Sequence, residues 1–100
     1  MNMILNTIQQ EKKRIEYMLA KYKEEQEQLP KGSISKKIVG DRVYHYLKYR
    51  AGKKVVSRYI GKAQIDEIRK QIEKRRHVET MIKSLQEELA IANKVLEGEI

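Results

Sequence analysis

Tyr44, Tyr46, Lys48 and Arg50 alternate along the short stretch VYHYLKYR, residues 43–50. Aromatic rings set among fixed cations suit a ligand that is at once anionic and aromatic. Lys and Arg neutralise phosphates, with an affinity that falls steeply as salt rises, while a tyrosine face stacks on any base. On a sheet laid in a major groove, the same cations would reach phosphates or base edges. Lys37 and Arg42 precede the stretch, and Lys53, Lys54 and Arg58 follow it. A plainer reading also fits: alternating Lys and Tyr can be a solvated face whose charges discourage further strand pairing.

Other constellations carry less chemistry. The sequence has no cysteine, hence neither a disulfide framework nor a thiolate metal site. His45 and His77 lack ligand-spaced neighbours. On the register expected below, His45 faces Ser57, but no carboxylate is placed to orient it as a catalytic base. EKRRH, residues 73–77, reads as a solvated helical face. Gly61-Lys62 lacks the glycine-rich frame of a phosphate loop. The expectation is a nonenzymatic protein without cofactor or metal.

The elements that hold the basic stretch follow from periodicity. Ile8, Ile15, Tyr22 and Leu29 recur every seven residues, beside Ile4, Leu5, Met18 and Leu19, so residues 3–28 are expected to be helical. Glu11 and Glu25 interrupt the second row of that seam. Pro30 and Gly32 end the helix. SISKKIV, RVYHYLKY and KVVSRYI are expected strands. Gly40-Asp41 suits a two-residue turn with glycine first, whereas RAGK is expected to form a type I turn closed by a Gly52 bulge.

From Ala63 to Leu96 a helical stripe runs through Ile65, Ile68, Ile72, Val78, Ile82, Leu85, Leu89, Ala92 and Leu96, broken at Arg75. Some 34 residues span about 50 Å, more than a small domain needs, so the stripe must be covered. The expected fold is α+β: helix, three-stranded antiparallel β-meander, long helix, with the helices as an antiparallel coiled-coil hairpin. One domain fills the chain, with a helix arm at 1–30, the basic meander at 31–62 and a long helix arm at 63–100. Any uncovered seam would allow homo-oligomerisation through the helices.

With these turns, Ile34 lies beside Leu47 and Ile38 beside Val43, while Val55 faces Leu47 and Tyr59 faces Val43. One face then carries Ile34, Ile38, Val43, Leu47, Val55 and Tyr59, apolar enough to pack on Ile65, Ile68 and Ile72. The other carries Lys37, Arg42, Tyr44, Tyr46, Lys48, Arg50, Lys54, Val56 and Arg58.

Charge is concentrated on the meander. The net charge is +8, yet residues 31–62 alone hold ten basic side chains against one acidic, a net +9. The flanking segments nearly cancel. No apolar run approaches the roughly 18 residues of a membrane span, and the N-terminus does not read as a signal peptide. A cytoplasmic protein without a membrane partner is expected.

LPKGSISKKIVGDRVYHYLKYRAGKKVVSRYIGK, residues 29–62, resembles a family of short bacterial and phage proteins. These share a Leu-Pro-Lys-Gly-Ser-Ile start, a tyrosine-rich strand and a Ser-Arg/Lys-Tyr-Ile-Gly ending. The hairpin is similar to the start of some insertion-sequence transposases, and the meander with its following helix is similar in outline to the arm-type DNA-binding domains of tyrosine integrases. The resemblance implies a mobile-element setting and no reaction. The leading expectation is nucleic-acid binding, DNA ahead of RNA, through Tyr44, Tyr46, Lys48, Arg50, Lys54 and Arg58, with Lys37, Arg42 and Lys53 on phosphates. Two alternatives are a phage-encoded, anti-CRISPR-like inhibitor of a host defence nuclease or its nucleic acid, and a coiled-coil adaptor.

Overall fold

The structure, a computed structural model, describes residues 2–98. Helix α1 (Met3–Gln28) is followed by strands β1 (Ser33–Val39), β2 (Arg42–Ala51) and β3 (Lys54–Ile60), then by helix α2 (Ile65–Leu96), entered through a 3₁₀ turn at Lys62–Gln64. The strands form one antiparallel sheet in the order β1-β2-β3. The architecture is therefore the expected α+β. Two compact units divide the chain: residues 29–76 hold the sheet and the first part of α2, and the other unit pairs α1 with the rest of α2. No helix among the described residues is long and apolar enough to cross a membrane.

Both hairpins of the sheet unit use a two-residue loop with glycine first. Val39 pairs with Arg42 across Gly40-Asp41, and Ala51 pairs with Lys54 across Gly52-Lys53. Gly40 has φ +62° and Gly52 φ +65°, while no non-glycine residue has positive φ among the described residues. That is the pattern of a type II′ turn, whose twist matches that of the flanking strands.

The second hairpin corrects the expected bulge. Ala51 stays in the strand, and Leu47 faces Arg58 instead of Val55. That offset of three positions is odd, and side chains alternate along a strand, so every β3 residue moves to the face opposite the expected one.

The core of the sheet unit gathers Leu47, Ile60 and Ile72, packed by Ile34, Tyr49, Ile65 and Ile68. Leu47 and Ile60 are each only 2% exposed. Ile60 thus takes the place expected for Tyr59. Ile65, Ile68 and Ile72 lie one helical turn apart and cover one end of the sheet. The cover stops short of the first hairpin: Ile38 is 73% exposed and Val43 44%, although both were expected to pack on the helix. Arg75, which breaks the apolar stripe, has a structural task here. Its guanidinium donates a hydrogen bond to the Leu29 carbonyl oxygen at 2.6 Å, just past the end of α1, where carbonyls lack intrahelical partners.

In the helical unit Asn2 caps α1, its Oδ1 accepting a hydrogen bond from the Ile4 amide at 2.9 Å. The seam buries Ile15 and Leu19 of α1 with Val78, Ile82, Leu85 and Ala92 of α2. Glu11 binds Arg14 on the same helix at 2.9 Å. That hydrogen bond, and a smaller attraction from Glu88 of α2, raise the Arg14 pKa above its ordinary value. Met3 and Ile4 lie outside the seam and are exposed.

Candidate nucleic-acid interface

The register decides which side chains share a surface. Directly paired residues point the same way, so one face carries Ser33, Ser35, Lys37 and Val39 of β1, Arg42, Tyr44, Tyr46, Lys48 and Arg50 of β2, and Val55, Ser57 and Tyr59 of β3. This is the face turned away from the core. Its centre is aromatic. Tyr46 and Tyr59 are direct cross-strand partners with ring centroids 5.9 Å apart and planes at 69°, and Tyr44 lies 6.3 Å from Tyr59 at 57°. The first is a favourable edge-to-face geometry, and the second is a tilted contact. Tyr59 is 58% exposed, and Tyr44 and Tyr46 are half-buried.

Cations surround the rings. On β2, Arg42 lies beyond Tyr44, and Lys48 and Arg50 lie beyond Tyr46; Lys37 of β1 pairs directly with Tyr44. All four are exposed, and no carboxylate belongs to the face. The small Ser35 and Ser57 neighbour Tyr46 and Tyr59 on the strands, and such short side chains leave the rings standing proud.

Of the nine residues expected at the site, six share this face: Lys37, Arg42, Tyr44, Tyr46, Lys48 and Arg50. Lys53 occupies the second turn. Lys54 and Arg58 do not belong here; with Val56 they lie on the core side of the sheet, where both basic side chains are exposed beyond the packed end. In exchange the face gains Tyr59 and Val55, both expected in the core; Val55 is 63% exposed. The signal that could have located Tyr59 is the likeness of Gly52-Lys53 to Gly40-Asp41, two loops with the same glycine-first chemistry. The His45–Ser57 pairing also dissolves, since His45 faces Ile60 and Ser57 faces Lys48.

Past Ile60 the third strand leaves the sheet, and the start of β2 keeps no strand on that side. An open groove of about 630 Å³ lies there, lined among others by Arg42, Tyr44, His45, Tyr59 and Lys62, with Asp41 its carboxylate.

A family model described as a domain of unknown function, DUF6788, matches residues 8–70. That span covers most of α1, the whole sheet and the start of α2. The chain belongs to the DUF6788 family. No curated protein and no solved structure matches it. The matched span of this DUF6788 chain includes every residue of the tyrosine face and, Ile72 apart, the core beneath it.

Proposed function

We propose that the protein is a nonenzymatic nucleic-acid-binding module whose ligand lies on the tyrosine-bearing face of the sheet. One observation carries the reading: Tyr44, Tyr46 and Tyr59 form a single aromatic cluster on the outer face, Tyr59 exposed and the other two half-buried, with Lys37, Arg42, Lys48 and Arg50 beside it. A sheet covered by a helix on one side needs no aromatic cluster on the other, because three tyrosines on a wet face leave apolar area unburied. A phosphate-linked chain of bases matches both parts of the surface, phosphates on the cations and bases on the rings. The core of Leu47, Ile60 and Ile72 backs the face from the other side of the sheet. The protein would act in the cytoplasm, on nucleic acid of its host or of a mobile element.

Fluorescence anisotropy with labelled oligonucleotides, titrated at several salt concentrations, tests the reading. Binding should weaken steeply with salt and should be lost in the triple variant Arg42→Glu/Lys48→Glu/Arg50→Glu. Undiminished binding by that variant, with its fold intact by circular dichroism, would move the ligand elsewhere. Failure of the wild-type protein to bind even at low salt would redirect the basic face to an acidic protein surface, such as that of a nuclease.

A further inference from the structure

We infer that the ligand of the tyrosine face is single-stranded nucleic acid, with one nucleotide seated in the groove where β3 leaves the sheet. The inference rests on the nucleic-acid reading above and narrows its substrate class. Duplex and single strand ask different things of a sheet. A sheet entering a major groove reads base edges with long donors and acceptors at its centre, because the edges lie at the groove floor and the stacked base faces are hidden. Unpaired bases expose their π-faces, and aromatic platforms on a sheet take them up.

Here the centre is occupied by Tyr44, Tyr46 and Tyr59. The long cations Arg42, Lys48 and Arg50 lie to either side of them along β2. That order suits bases in the middle and phosphates at the margin. The edge-to-face contact of Tyr46 with Tyr59 opposes one ring's edge to the other's face, so the rings are not stacked flat against each other and a face remains open to a base. Tyr59 is the most accessible of the three.

The groove supplies a second, independent feature. Its volume of about 630 Å³ falls in the range of small-ligand sites. Tyr44 and Tyr59 form part of its wall, and Arg42 and Lys62 flank it. A base against the Tyr59 ring with its phosphate between Arg42 and Lys62 uses each of these groups. His45 lines the same groove, and its ring nitrogens give a polar partner to a base edge or sugar hydroxyl.

Four ligands of equal length and one protein variant separate the outcomes: single-stranded DNA, single-stranded RNA, duplex DNA, and an abasic strand with the same phosphates but no bases. Single strands should bind at least about tenfold tighter than duplex and than the abasic strand, since base–aromatic stacking contributes about 1–3 kcal/mol per base. Tyr59→Ala should narrow the gap between single-stranded and abasic binding, and an unchanged gap would overturn the inference. The DNA and RNA arms show whether the sugar is read. Equal binding of duplex, abasic and single strands would overturn the inference while leaving a phosphate-binding surface intact. Absence of binding to all four would overturn both readings.

Discussion

Tyr46 and Tyr59 stand opposite each other on adjacent strands, their rings 5.9 Å apart in an edge-to-face contact on the open side of the sheet. A two-residue loop at Gly52-Lys53 puts them there. A loop one residue longer or shorter would turn one ring into the core and leave the other alone. The aromatic platform is thus a consequence of turn geometry.

That relationship separates core from surface in a way stability can read. Tyr59→Ala removes a ring that is 58% exposed and should change unfolding free energy by about 1–2 kcal/mol, the scale of its two aromatic contacts. Leu47→Ala empties a position that is 2% exposed and should cost about 2–5 kcal/mol. Urea denaturation of both variants checks the ordering. A Tyr59→Ala loss as large as that of Leu47→Ala would return Tyr59 to the core.

Charge reversal distinguishes the two faces. Arg50→Glu and Arg58→Glu make the same change in net charge, but Arg50 shares the tyrosine face and Arg58 lies on the other. Arg50→Glu should weaken oligonucleotide binding about tenfold or more and reduce the magnitude of its salt slope. Arg58→Glu should produce only the small loss expected from a change in overall field. Equal losses in anisotropy titrations would mean that the ligand responds to total charge and not to this face.

Gly32 is a structural requirement just before β1. Its φ is +113°, and an added Cβ would collide with the Lys48 carbonyl oxygen and press on Tyr49 Cβ. Backbone carbonyls cannot step aside as a flexible side chain can. Gly32→Ala should destabilise the protein by about 1–3 kcal/mol from overpacking alone and lower the thermal midpoint. Gly61→Ala, with ordinary φ and open space, should leave the midpoint nearly unchanged. Calorimetry of the pair tests the contrast.

Within the sheet unit, Arg75 of α2 holds the Leu29 carbonyl. Arg75→Met keeps much of the apolar stem and deletes the donor. A hydrogen bond from a charged group contributes about 1.5–3 kcal/mol, and the variant should lose stability on that scale without losing oligonucleotide affinity. Chemical denaturation and anisotropy on the same sample check both halves of this expectation.

Much of the fold was legible in the sequence because its signals are local. Pro30 and Gly32 mark the end of α1, the seven-residue spacing of Ile8, Ile15 and Tyr22 marks its seam, and Gly40-Asp41 fixes the first hairpin to the residue. The second hairpin was not, because Ala-Gly-Lys allows two loop lengths, and alternation in KVVSRYI does not choose between them. Val55 and Tyr59 make a plausible inner row, as do Val56 and Ile60. Packing settles the choice: Ile60 fits against Leu47 and Ile72, and the shorter loop follows. The same ambiguity concealed one third of the aromatic cluster and misplaced Lys54 and Arg58. Arg75 was legible only as an interruption, since its acceptor is a backbone carbonyl distant in sequence.

The most direct test of the central claim is an amide chemical-shift titration of the ¹⁵N-labelled protein with a short single-stranded oligonucleotide. The account predicts perturbations concentrated at Lys37, Arg42, Tyr44, Tyr46, Lys48, Arg50 and Tyr59, extending to Lys62 in the groove, with Lys36, Lys54 and Arg58 little changed. Perturbations centred on the helices or on the Lys54–Arg58 side, or none at all at low salt, would contradict it.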